Sequence, residues 1–370
     1  MTNASFREKF LRDYIRAAAV LQSKKFVRAI DKRGRRYYEF SITRTKWQVI
    51  PLVEVYKSQE SGHLEKLTLR TLQKGSWINI VDPTPYELRE VSSLTQVEPD
   101  FLRAALDEEE RSHLDSEGDS VMILTNVPIV YEEESYDTLP LSIILTKQFI
   151  ITVCLEETPV MSSFNQRTAR LFHTYKRTRF LFEILYRSAT FYLRYLRQIN
   201  KLSDEIEEQL RKSMRNADIL RLMELQRGLT YFNAALRSND AVFEKLLRLR
   251  NNRSVEGILE IYEEDEDLLE DVIIENKQAR EMVEMYSQIL SQMADIFSSI
   301  ISNNQNMVMK FLAAMTIIIA VPTVIASFFG MNVPVPLAEN TFGFVIVIAI
   351  ALLASICAAI VFWRKHMFWG

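Results

Sequence analysis

Residues 310–365 read KFLAAMTIIIAVPTVIASFFGMNVPVPLAENTFGFVIVIAIALLASICAAIVFWRK, and this stretch decides the architecture. No Asp, Glu, Lys or Arg lies between Phe311 and Phe329 or between Phe344 and Trp363, although such residues make up 25% of the chain. Each run approaches the roughly 20 apolar residues with which a helix crosses about 30 Å of hydrocarbon. The stretch reads as two membrane spans, 311–329 and 344–363, joined by an external loop, 330–343. Lys310 precedes the first span, Arg364 and Lys365 open a basic tail, 364–370, and the loop carries neither Lys nor Arg. That asymmetry predicts an integral protein of the cell membrane with both termini cytoplasmic.

Outward from the hairpin the composition changes twice. Seven of the ten prolines lie between Pro51 and Pro159, and no other occurs before Pro322. Short β-rich runs (Ser76 to Ile80, Val121 to Leu124, Leu141 to Val153) alternate there with helical signals such as Asp82-Pro83-Thr84-Pro85 ahead of Tyr86 to Leu94. This pattern predicts a cytoplasmic α/β domain over 1–155. From Met161 to Ala320 the sequence is rich in Leu, Glu, Arg and Gln with apolar residues three and four apart, which predicts long helices. Turn chemistry at Met214 to Asp218 and at Asn251 to Ser254 divides them into a helical arm, 156–253, and a stalk helix, 254–310, that runs into the membrane. Met1 to Ile30 is studded with charge and has no apolar run of the kind a signal peptide carries. The first 47 residues are net basic, read as charge on exposed faces and not as a nucleic-acid arm. Cys154 in a predicted strand and Cys357 in the second span provide no disulfide framework and fit a reducing compartment.

A stalk helix of that length needs neighbours, and copies of itself are available in the number required. Stepping alternately four and three residues from Gln288 collects Gln292, Asp295, Ser299, Ser302, Asn306, Met309, Ala313, Thr316, Ala320, Thr323 and Ser327. Every member except Met309 is polar or small, where a coiled-coil seam places large apolar side chains. An adjacent line, Ile289, Met293, Ile296 and Ile300, supplies the apolar packing instead. Helices that pack laterally through the greasy line present the polar one to a wet axis, the geometry of a pore. Small residues also let membrane helices approach closely, but the polar line continues for several turns outside the membrane.

The tripeptide Gly330-Met331-Asn332, ending the first span of a C-terminal hairpin after a long proline-free helix, resembles the CorA family of magnesium transporters. Trp77-Ile78-Asn79-Ile80 and Leu141 to Lys147 are similar to the family too, so the likeness runs from about Gly75 onward. It implies a funnel-shaped homopentamer: an α/β cytoplasmic domain, a two-helix arm, and a stalk helix from each subunit that lines the pore. The tripeptide would form the selectivity filter with a ring of Asn332 at the outer mouth. The family's deeper pore positions fall on Thr323, Met309, Asn306 and Asp295, all on the line found from spacing. Mg2+ binds six oxygens and sheds water reluctantly. Neutral carboxamide oxygens that accept hydrogen bonds from its water shell select it without holding it. Met309 is a candidate hydrophobic gate or a packing residue between subunits.

Between Glu256 and Glu275 ten residues are acidic and none is basic, the pattern either of a solvated helix face or of carboxylates clustered at subunit interfaces that repel until a divalent ion sits between them. The resemblance places an intracellular regulatory Mg2+ at Asp271, with Asp107 and Glu108 as partners because the family's own partner position holds Ala104. The external loop carries one acid, Glu339, as a candidate for capturing cations. His63, His113, His173 and His366 have no paired metal-ligand spacing, and no phosphate-cradling or nucleophile motif occurs, so no enzyme and no covalently bound cofactor is expected. The expectation is passive uptake of hydrated Mg2+, with cobalt or nickel as secondary ions. A zinc transporter of the same fold and a membrane-tethered scaffold without transport remain open.

Overall fold

The computed structural model describes residues 53–131, 134–212, 215–249, 257–331 and 342–365, together with the backbone of three short strands before them. Those strands, β1 (Val27–Ile30), β2 (Arg36–Thr43) and β3 (Lys46–Val49), form an antiparallel sheet of their own. A second sheet has seven strands: β4 (Val53–Ser58), β5 (Leu64–Leu67), β6 (Trp77–Val81), β7 (His113–Glu117), β8 (Ser120–Tyr131), β9 (Ser135–Thr146) and β10 (Ile150–Cys154). Their order is β5-β4-β6-β10-β9-β8-β7, with β6 and β10 parallel at the centre, Trp77 opposite Ile150 and Val81 opposite Cys154. All five residues of β10 and ten of the twelve in β8 are buried, as expected of strands covered on both faces.

Helix α1 (Pro85–Thr95) and the short α2 (Pro99–Ala104) cover one face, where Leu88, Val91, Phe101 and Leu102 pack with Ile78, Ile80, Ile144 and Ile151. The predicted start of α1 carries a capping box. Thr84 Oγ1 accepts from the Glu87 N–H at 3.3 Å, and the Glu87 carboxylate accepts from the Thr84 N–H at 2.8 Å. Trp77 belongs to the other face, in a cluster of edge-on and stacked rings with Phe164, Phe172 and Phe180. Its indole N–H donates to Thr152 at 2.8 Å, and that hydroxyl donates on to Asn79, so the buried polar group is satisfied.

After a one-turn helix, α3 (Pro159–Ser162), the long helices follow: α4 (Arg177–Lys212), α5 (Asn216–Arg248), α6 (Glu263–Phe329) and α7 (Gly343–Arg364). Three local expectations change. Leu141 to Val153 is two strands and not one run, because Thr146 Oγ1 accepts from the N–H groups of Gln148 and Phe149 and turns the chain. The stretch 163–176 is not helical. Thr174 is drawn to Ser58 and to the Gly75 carbonyl, and Thr168 Oγ1 donates to the Ser163 carbonyl. Finally, α6 begins at Glu263 and not near residue 254, since 257–262 form a turn opened by Gly257 at φ +80°. Of the segment in which the helix break was expected, 251–254 lie outside the described residues, as does Met214 at the other break.

The chain divides into two compact units. One comprises 1–129, 138–192 and 234–278, which holds the sheet, α1 to α3 and the first turns of α6. Inside it, Asn239 donates to the Asn126 carbonyl at 2.9 Å and accepts from the Ser112 hydroxyl at 2.7 Å, tying α5 to the sheet. The other comprises 130–137, 193–233 and 279–370. There the start of β9 meets the arm: Tyr136 packs edge-on against Tyr195 and Phe232, and Glu134 just ahead of the strand accepts from Arg221 Nε at 2.7 Å.

Candidate ion pathway

Helix α6 is 67 residues long, about 100 Å at ~1.5 Å per residue. Its covered positions fall in two stretches, before Ile300 and from Ala314 onward, and 302–313 between them are exposed on every side. Leu290 and Phe297 are buried and Ile318 and Ile325 half-buried; Met293 and Ala314 are buried and Val321 half-buried. At ~100° per residue these two rows define one side of the helix. The polar line falls close to the opposite side, and all twelve of its members from Gln288 to Ser327 are exposed within the chain. The adjacent apolar line splits. Met293 turns into the chain, whereas Ile289, Ile296 and Ile300 stay exposed, Ile296 at 58%.

Three hydroxyls on the polar line are back-bonded: Ser299 donates to the Asp295 carbonyl at 2.9 Å, Thr316 to Leu312 at 2.7 Å and Thr323 to Ile319 at 3.1 Å. With the single O–H spent on the helix, each hydroxyl offers only lone pairs outward. That suits a partner which donates, such as the water shell of a cation. Pro322 sits inside the helix and has no N–H to give to the Ile318 carbonyl one turn back. Met309, 64% exposed, is the bulky interruption of the line.

The tripeptide begins as the last turn of α6. The Gly330 N–H donates to the Ala326 carbonyl at 2.9 Å, and a Cβ at this position would meet that oxygen at 3.2 Å. Met331 follows, 52% exposed. Asn332 and Glu339 lie outside the described residues. Helix α7, 22 residues or about 33 Å, is likewise long and apolar enough to cross a bilayer.

The family model described as CorA-like Mg2+ transporter protein matches residues 73–366. The chain belongs to this family. Among curated relatives, the cobalt/magnesium transport protein CorA of Methanocaldococcus jannaschii is 28% identical over 299 residues, covering 78% of this chain and 90% of that protein. The solved complete CorA magnesium transporter of the same organism shares the fold with a TM-score of 0.72 at 24% identity, over 86% of this chain and 99% of that one. The ZntB cytoplasmic domain from Vibrio parahaemolyticus covers 68% of the chain with a TM-score of 0.51 at 14% identity. This CorA-family chain is thus a divalent-cation transporter with a soluble α/β domain, a long helix and two membrane-spanning helices, in a family of transporters and not of enzymes.

The residues assigned to intracellular sensing are less assembled than the line. Asp271 is exposed on α6, and Asp107 and Glu108 are exposed just beyond α2, where Asp107 accepts from the Glu109 N–H. Asp107 borders an open depression with Asp100, Arg103, Ala104, Glu110 and His113. Among the described residues no group of three or more His, Cys, Asp or Glu stands close enough to hold a metal ion. Part of the acidic run has a local cause. Glu263 to Glu266 form the first turn of α6, where the exposed N–H groups and helix dipole favour negative charge. Asp265 among them is buried and paired with Arg179 at 3.2 Å, a contact between residues 86 apart that no local spacing signals.

Proposed function

We propose that this CorA-family member passes hydrated Mg2+ down its electrochemical gradient through a central pore lined by α6 from a ring of copies. The observation that supports the reading most is the exposed polar line on the side of α6 away from the chain's own packing. A helix with nothing to conduct has no reason to keep Thr316, Thr323 and Ser327 on one line through an apolar span and to continue that line with Asn306, Ser302, Ser299 and Asp295 below it. Lone-pair-only hydroxyls at Ser299, Thr316 and Thr323 would accept from the ion's waters, so the ion travels without the slow loss of its shell. Ser302, Asn306, Ala313, Ala320 and Ser327 continue the wall, Met309 narrows it, and Asp295 adds charge at the cytoplasmic side.

In this reading the spans are 311–329 and 344–363, both termini are cytoplasmic, and Gly330-Met331-Asn332 forms the filter at the outer mouth. Exposed Ile289, Ile296 and Ile300 join neighbouring copies, five of them by analogy with the family. Asp271 of one copy and Asp107 and Glu108 of the next bind intracellular Mg2+ and favour closure. Liposomes carrying the protein test the filter directly. Under an inside-negative potential wild type should admit Mg2+, and Asn332→Ala should reduce entry at least tenfold. Unchanged entry in the variant would remove Asn332 from the filter.

A further inference from the structure

Two arginines in the first turn of α4 lie near the start of α6. Arg177 donates to the Thr146 carbonyl at the end of β9 and lies in the field of Glu260 and Tyr262, just ahead of α6. Arg179 reaches α6 itself. Its Nη1 donates to Asp265 Oδ1 at 3.2 Å and stands 3.5 Å from the Glu264 carbonyl oxygen. Asp265 is 5% exposed, so this guanidinium offsets the cost of burying its charge. The same guanidinium serves a second carboxylate: Arg179 Nε lies 3.7 Å from Glu183 Oε1, one turn further along α4. The Glu183 side chain is 19% exposed, and the charged groups facing it are Arg179 and Arg187 on its own helix and Asp265 on α6.

We propose that Arg179 is the positioning residue for the cytoplasmic start of α6, shared between Asp265 and Glu183, and that protonation of Glu183 leaves it wholly to Asp265. The anchor then tightens in acid and loosens in base, and transport changes with it. Burial pushes the Glu183 carboxyl up to about 7, with Arg179 and Arg187 pulling it down and Asp265 pushing it up. Exchange of this one proton with water therefore falls in the range that cytoplasmic pH spans. Only the effect on transport rests on the pore reading of α6. The anchor stands apart from it.

The test uses the full-length protein in liposomes, from about pH 6 to about pH 8. It reads hydrogen exchange over 263–270, corrected for intrinsic rates, together with Mg2+ entry, in wild type and Glu183→Gln. Wild-type protection should fall roughly tenfold or more as pH rises, the scale of one charge-assisted hydrogen bond. Glu183→Gln should stay protected, and its entry rate at the upper pH should equal that of wild type at the lower. Arg179→Lys, which keeps the charge without the fork, should be poorly protected throughout. Flat wild-type protection, a transition that persists in Glu183→Gln, or full protection in Arg179→Lys would overturn the anchor. A protection change with pH-independent entry would overturn its coupling to transport. No entry by wild type at any pH would tell against the pore reading and leave the exchange result to judge the anchor.

Discussion

Thr84 closes α1 through a reciprocal pair of bonds with Glu87. Thr84→Ala should lower stability by about 1 kcal/mol, read as an earlier thermal transition of the full chain in detergent. Gly228 comes so close to Tyr136 that an added Cβ would stand 2.8 Å from the tyrosine Cβ. Two carboxyls respond to acid with opposite signs. Glu134, held below its ordinary value by the bond from Arg221, contributes stability at neutral pH that is lost as pH falls through its folded value. Glu183, raised by burial from its ordinary 4.5 to about 7, binds its proton more tightly in the folded chain. Its contribution is complete below the unfolded value and is lost as pH rises through the folded one. Thermal midpoints followed from about pH 4 to about pH 8 should therefore decline less steeply in Glu183→Gln than in wild type.

Among the elements, α6 was the most legible in sequence where it is simplest. Charge-free runs mark the membrane, and alternating steps of four and three isolate the exposed polar line, because both signals are local and periodic. The start of the helix was not legible. What stops it at Glu263 is a turn with Gly257 at positive φ and the pairing of Asp265 with a guanidinium on α4. The irregular stretch before α4 escaped for the same reason, since Thr174 finds Ser58 across 116 residues. Nothing in the spacing of the adjacent apolar line separates Met293, which is covered inside the chain, from Ile296, which is bare. Ile296→Asp, which sets a charge on that bare position, should reduce assembly into rings, measured by mass in detergent, without unfolding the soluble domain. Thr316→Val keeps the shape and removes the outward lone pairs, and should lower Mg2+ entry severalfold with assembly intact.

For the whole molecule, family membership and fold account for a divalent-cation transporter, whereas the route of the ion rests on one side of one helix. Between Gln288 and Ile300 the sides of α6 have distinct occupants: Leu290, Met293 and Phe297 are buried in the chain, Ile289 and Ile296 are apolar and bare, and the third side is polar and bare. A closed ring satisfies all three at once, with the apolar side against the next copy and the polar side on the axis. Cysteine substitution along α6 tests this most directly, in a background in which Cys154 and Cys357 are replaced by Ala. Single cysteines go in at Ser299, Ser302, Thr316 and Thr323, and for contrast at Phe297 and Ile318. Mg2+ entry is then measured before and after a small hydrophilic thiol reagent. The account predicts that modification blocks entry at the first four positions and leaves it unchanged at the last two. Block at Phe297 and Ile318, or equal sensitivity on both sides of the helix, would contradict it.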